Sequence, residues 1–317
     1  MIFKNTFDNL NKEDLDLLNS YFDGYDYMSS GCTFISNYIW RNSYQISWQI
    51  IGKYLCISGL ENPDDDECDQ HYIMSFPLTN NGTYEIRELQ ETILSAKEIF
   101  RTAGKDFSIG LIPESLVHYL EECFPGRVMI EHNRDDDDYI YLKDDLVSLS
   151  GRKLHQKKNH LNYFKRNYAF TYEEATCETI PEILKYIKSK NAYKLEETPP
   201  AWKEVLEMET HAIEQLLQFT GKGLLSGIIR INGKIEAVTL GEYAKTTNKK
   251  TVIVHVEKAD DRIRGLYQAI NNEFCKRLPD ETVYVNREED MGMENLKQAK
   301  MSYKPYKMAK KYSAIVK

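Results

Sequence analysis

The chain has 317 residues and a mass of 37.1 kDa, with 42% hydrophobic and 28% charged residues, which excludes a mostly disordered chain and is long enough for two ordinary domains. It has no apolar run of the roughly 18 residues that a membrane helix needs, and Asp8, Glu13, Asp14 and Asp16 follow the N-terminus too closely for a signal peptide. The net charge of −8 hides a split: residues 1–150 carry 11 Lys/Arg against 27 Asp/Glu (net −16), residues 151–317 carry 30 against 22 (net +8), so the second half favours a phosphate-bearing partner unless the halves simply attract each other.

In chain order, Glu13–Tyr21 reads as a short amphipathic helix and Tyr44–Ser58 as two strands around a turn at Gly52-Lys53. Tyr72–Leu78 is a further strand, closed by Pro77 and the turn Asn80-Asn81-Gly82. Tyr84–Thr102 places Ile86, Leu89, Ile93, Ala96, Ile99 and Phe100 on one helical face. Phe107–Ile112 reads as a buried strand, and Pro113 opens a helix that stops at Pro125-Gly126. Val128–His132 and Tyr139–Leu142 read as paired strands, with Asp135–Asp138 between them as a solvated loop that lacks the cage a cation needs. Six cysteines (Cys32, Cys56, Cys68, Cys123, Cys177, Cys275) have no short spacing and read as reduced thiols of a cytoplasmic protein without a metal site.

The second half opens near Ser150-Gly151. Arg152–Tyr168 reads as a helix, Phe170–Glu174 as a strand and Ile180–Asn191 as a helix. A charged loop, Lys194–Pro200, leads to a helix over Trp202–Gln218. Gly223–Ile231 and Ile235–Tyr243 form a hairpin around Asn232-Gly233. Thr251–Val256 follows as a strand, Arg262–Leu278 as a helix, Thr282–Asn286 as a strand, Met293–Ser302 as a helix and Tyr312–Val316 as a last strand. The order predicts an α/β sandwich on a mixed sheet.

Three segments carry candidate chemistry. The order just given resembles a GNAT-type acyltransferase core, in which a central strand runs into a helix whose N-terminal amides hold a pyrophosphate. Here that turn is Arg262-Ile263-Arg264-Gly265-Leu266-Tyr267-Gln268. Arg262 and Gly265 match the acyltransferase pattern, and Tyr267 stands where a second small residue belongs, so its ring crowds a pyrophosphate. After the strand at Tyr284, the residues Asn286, Arg287, Glu288, Glu289 and Asp290 lie at the carboxyl edge of the sheet, where acids either recognise an ammonium group or cap a helix. In residues 150–168, Leu154, Leu161, Phe164 and Tyr168 make an apolar stripe flanked by Lys153 and His160 on one side and Lys158 and Lys165 on the other, and the basic residues Lys153, Lys157, Lys158, Lys165 and Arg166 either reach phosphates or form a solvated face.

At LSGRKLHQKKNHLNYFKRNY (149–168), GLYQAINNEF (265–274), YVNREEDMGMENLKQAKMSYKP (284–305) and YIWRNSYQISW (38–48), the chain resembles the phosphatidylglycerol lysyltransferase C-terminal family. The resemblance implies two tandem GNAT-like domains, similar to Fem-type aminoacyl ligases. On this reading 1–148 is a degenerate copy, and 149–317 holds the reaction centre in a cleft shared with it. The implied activity moves an aminoacyl group from aminoacyl-tRNA to an amine or hydroxyl acceptor, with a small molecule, lipid or peptide as acceptor and no required cofactor. Acyl-CoA-dependent N-acyltransfer and a non-catalytic nucleic-acid or anion-binding module stay open as alternatives. In the implied site, Val254–Val256 supply oxyanion amides, Glu242 or His255 takes the acceptor's proton, and Tyr303 is a general acid. Arg262, Arg264, Gly265, Leu266, Tyr267 and Gln268 hold the donor phosphate, Asn286 to Asp290 recognise the substrate, and Lys153, Lys157, Lys158, Lys165 and Arg166 bind tRNA.

Overall fold

The computed structural model describes residues 7–23, 28–61, 71–197, 203–244 and 250–317. Cys68, residues 198–200 of the expected charged loop and the helix start expected at Trp202 lie outside the described residues.

The first sheet contains β1 (Asp8–Asn9), β2 (Ser47–Ile51), β3 (Tyr54–Leu60), β4 (His71–Ser75), β5 (Asp106–Pro113), β6 (Val128–His132) and, from the far end of the chain, β14 (Lys311–Val316), in the order β1-β2-β3-β4-β5-β14-β6. β2 and β3 pair around Gly52, whose φ of 63° suits glycine in so tight a turn. β4 and β5 are parallel, so a crossover is required, and α3 (Ile86–Thr102) supplies it. Its buried residues Leu89, Ile93, Ala96 and Phe100 recur at helical spacing and, Phe100 apart, share one core with Ile51, Tyr54, Met74, Ile109 and Ile112. The chain also forms α1 (Leu15–Phe22), α2 (Phe34–Trp40) and α4 (Val117–Cys123). α2 shows no polar face because Phe34, Ile35, Ser36, Tyr38 and Ile39 are all buried, which removes the periodicity by which a helix is read.

The second sheet has the order β13-β7-β12-β11-β10-β9-β8, with β7 (Asp138–Leu142), β8 (Phe170–Glu173), β9 (Leu224–Ile231), β10 (Lys234–Tyr243), β11 (Thr251–Ala259), β12 (Tyr284–Asn286) and β13 (Lys307–Ala309). It repeats the logic of the first: four antiparallel neighbours, then one parallel pair, β11 with β12, joined through α9 (Leu266–Arg277). α5 (Lys143–Ser148), α6 (His155–Asn167), α7 (Ile180–Glu197), α8 (Lys203–Leu216) and α10 (Glu294–Met301) complete it. Leu154, Leu161 and Phe164 bury the expected α6 stripe beside Leu266, Ala269, Ile270 and Phe274 of α9. In each sheet the strand next to the parallel pair comes from elsewhere in the chain: β14 pairs with β5, and β7 with β12.

The compact units follow this pairing. One holds the described residues up to Asp138 together with Ala309–Lys317, the other Tyr139–Ala244 and 250–308. The division thus falls at Asp138/Tyr139 where the sequence placed it at 148/149, and the last strand joins the first sheet. The reason is hydrogen bonding, since β14 pairs on both sides, with β5 and with β6.

Only the first half of the acidic run is solvated, with Asp136 exposed and Asp135 half-buried, while Asp137 and Asp138 are buried. Asp138 is fully buried, 2.7 Å from Lys311 Nζ, and accepts a hydrogen bond from the Ser30 amide at 2.6 Å. Asp137 accepts from His132 Nε2 at 2.9 Å and from the Lys311 amide at 3.1 Å. Helix α9 starts at Leu266, four residues later than Arg262, because Asp260 captures the Arg262 amide at 3.0 Å and Gly265 turns left-handed with φ 87°. No helix among the described residues is long and apolar enough to cross a membrane.

Candidate active site

Two backbone irregularities build the site. Leu240 of β10 pairs with Val256 of β11, but its neighbour Gly241 pairs with Val254, so His255 is the extra residue of a β-bulge. The bulge needs Gly241: a Cβ there would overlap the Ile253 carbonyl oxygen. The second irregularity is a splay. β11 and β12 pair only over Thr251–Ile253 and Tyr284–Asn286. Beyond Asn286 the chain stays with β7, since Arg287 N donates to Tyr139 O at 3.0 Å and Tyr139 N to Glu288 O at 3.2 Å. The Val254–Ala259 edge of β11 is left without a strand on that side among the described residues. A bulge beside parting parallel strands, at the carboxyl end of a parallel pair, is where an open α/β sheet offers backbone amides to a ligand.

Two ion pairs cross the splay. His255 Nδ1 donates to Glu288 Oε1 at 2.8 Å, and its Nε2 donates to Glu242 Oε1 at 3.0 Å. With a carboxylate on each nitrogen, both must carry protons, so His255 is an imidazolium. Burial alone would push its pKa down, but the two hydrogen-bonded carboxylates outweigh that and hold it at about 10. Arg287 Nη2 donates to Glu257 Oε1 at 2.8 Å, and Asn271 Nδ2 of α9 donates to Glu257 Oε2 at 2.9 Å. The Arg287 guanidinium lies 5.6 Å from the Tyr141 ring centre and 5.0 Å from that of Tyr303. Tyr303 is 5% exposed, and burial pushes its pKa up, so it keeps its proton. Gln268 is half-buried beside it and forms no hydrogen bond of normal geometry with the phenol.

The structure disperses the acids after β12. Glu288 belongs to His255, while the buried Asp290 accepts from the Tyr139 hydroxyl and the Gly292 amide. Lys300 donates to the backbone oxygens of Glu288 and Glu289. Asn286 accepts from the Glu288 amide at 2.7 Å, forming the turn in which Glu288 takes a φ of 56°. Glu288 and Asp290 therefore face different partners, and the backbone of this turn is held by Lys300.

The turn before α9 is also occupied. Arg262 reaches back to Asp260 with Nε at 2.9 Å and Nη2 at 2.6 Å. Arg264 lies 4.5 Å over the Tyr163 ring of α6, Leu266 is in the core and Tyr267 is half-buried. A Cβ at Gly265 would overlap the His160 carbonyl of α6, so this glycine serves close helix packing as well as its left-handed backbone. Of the basic residues on and beside α6, Lys153, Lys158 and Arg166 are exposed. Lys165 pairs with Glu273 at 2.8 Å, and Lys157 lies 4.4 Å over the Tyr303 ring. Sequence reasoning passed over Glu257 and Tyr141. Both sit in strands as ordinary alternating residues, and only the splay shows what they face.

The fold is that of tandem GNAT-like proteins, and several solved structures share it. A protein of unknown function from Bacteroides thetaiotaomicron is 29% identical, with a TM-score of 0.82 over 98% of this chain and 99% of that one. L-PGS from Bacillus licheniformis is 12% identical, with a TM-score of 0.64 over 99% of this chain and 94% of that one. FemX is 10% identical, with a TM-score of 0.63 over 100% and 97%. An uncharacterised protein of Mycoplasmoides gallisepticum is 25% identical over 177 residues, so the match spans 55% of this chain and about half (54%) of that relative's length. The family described as phosphatidylglycerol lysyltransferase, C-terminal, matches residues 25–315, and the chain belongs to it.

Proposed function

We propose that the chain moves an aminoacyl group from aminoacyl-tRNA to an amine or hydroxyl acceptor, in the splay between β11 and β12. An aminoacyl ester is already activated, so the enzyme has to align the acceptor and stabilise the tetrahedral oxyanion. The observation that carries the reading is the bulge at His255 beside the Val254–Ala259 edge, which has no strand on its far side among the described residues and so leaves backbone amides there for an oxyanion. The acceptor nitrogen or oxygen attacks the ester carbonyl. The carbon–oxygen bond to the terminal ribose then breaks, and the ribose oxygen leaves with the proton that Glu288 has taken from the acceptor. His255 is already protonated and takes none. Glu288, at 23% side-chain exposure the more open of its two carboxylates, takes the acceptor's proton.

CoA use is disfavoured by the turn before α9, where Arg262 is held by Asp260 and α6 fills the space over Gly265. The test is a transfer assay on the full chain. Labelled aminoacyl-tRNA pools and acetyl-CoA are offered separately with lipid, peptide and small amine acceptors. Label moving from tRNA to an acceptor supports the reading; transfer from acetyl-CoA alone overturns it.

A further inference from the structure

The Tyr303 ring holds two cations. The Lys157 ammonium lies 4.4 Å from its centre and the Arg287 guanidinium 5.0 Å from the same centre. One acid answers them, Glu257, and its two oxygens are engaged by Arg287 Nη2 and Asn271. Arg287 Nη1 is buried and donates to nothing, and the buried Tyr303 hydroxyl has only the neighbouring Gln268 side chain near it, without a hydrogen bond of normal geometry. Lys157 Nζ has no hydrogen-bond or ion-pair partner among the described residues, only the ring. Burial, and then the charge of Arg287, pull the Lys157 pKa down. A half-buried ammonium that repels its neighbour is a cost, and two sealed donors add to it. Such a set lacks one negative charge.

We propose that Lys157, Arg287 and Tyr303 form a binding site for one oxyanion of the substrate, a phosphate or carboxylate, with Lys157 as the arm that admits it. Arg287 presents Nη1, Tyr303 its hydroxyl, and Lys157 a point charge on a four-carbon stem. Both spare donors are sealed from water while Lys157 lies on the ring, so the arm leaves the ring to meet the anion and gives up only a cation–π contact. Burial first, and then the charges of Arg264 and Lys157, lower the pKa of His160, which stands in the same positive field. An amine could not occupy this site beside two cations. The inference shares its location with the aminoacyl-transfer reading and rests on it for one point: under that reading the anion is the phosphodiester preceding the leaving ribose. An anionic group on the acceptor would satisfy the same donors.

The test is calorimetric titration of the full chain with inorganic phosphate and, separately, acetate at low salt. Wild-type protein should bind at least one of them saturably. Lys157→Met and Arg287→Gln should each weaken binding about tenfold, and Tyr303→Phe by less. Lys157→Met should melt no lower than wild type, since it removes an unpaired cation, and this separates a binding role from a structural one. Competition of a CCA-ended acceptor-stem RNA with bound phosphate assigns the anion to the donor. Saturable binding that this RNA does not displace assigns it to the acceptor. No saturable binding of either anion, or unchanged binding by Lys157→Met, overturns the site. Lys157-dependent binding without any aminoacyl transfer would overturn the transferase reading and leave the site standing.

Discussion

At the residue scale, His255 shows how a strand position becomes an electrostatic device. Its folded pKa of about 10 lies above the ordinary 6.5, so folding takes up a proton. The stabilisation is complete below about 6.5 and is lost as the pH rises through about 10. Denaturant unfolding from pH 6 to 10.5 should therefore show stability falling across that window, and His255→Gln should flatten the fall. That variant leaves two facing carboxylates, Glu242 and Glu288, without their shared cation, and should cost about 3–5 kcal/mol at pH 7. The basic residues around α6 give a second residue-scale prediction. Lys153, Lys158 and Arg166 are exposed, so under the proposed use of aminoacyl-tRNA changing any one to Ala should reduce the salt slope of tRNA binding by about one. Lys165→Ala should leave the slope nearly unchanged, because Lys165 is already paired with Glu273. A fall equal to the others would show that the pair opens on binding.

At the scale of elements, the start of α9 depends on one glycine. Gly265 takes a left-handed φ of 87° and faces the His160 carbonyl, whereas Gly151 has a similar φ of 79° with nothing near its Cβ position. Gly151→Ala should cost about 1 kcal/mol for backbone strain alone. Gly265→Ala must also push α6 away from α9, and should cost more than twice as much in equilibrium unfolding. Equal costs would show that the two helices give way easily. The acyltransferase-like motif around Gly265 was legible in the sequence, yet its close packing role was not, because a left-handed glycine and a close-approach glycine look the same in one dimension.

At the scale of the whole molecule, the chain closes each sheet with a strand from a distant segment. β14 lies between β5 and β6, so its removal leaves two strands with unpaired edges inside the first sheet. A chain ending at Ala309 should lose the cooperative unfolding of the first unit, seen as protease sensitivity of residues 71–132, while Tyr139–Ala244 stays protected. Full protection of the first sheet without β14 would contradict this topology. The halves of opposite charge were readable by counting. The exchange of β14 was not, because pairing partners 180 or more residues apart leave no local periodicity.

The sequence alone determined the mixed α/β character, most strands and helices, and the family, because hydrophobic period, turn residues and long motifs are local properties of the chain. Only the tertiary structure decided which of the marked residues are available for chemistry. Charge pairing is a three-dimensional contest: Arg262 and Lys165 have acids that cancel them, while Lys157 and Arg287 have one acid between them. Where strands part and a bulge turns the backbone, burial removes water as the competing partner, and the charge left over there is what a substrate would meet.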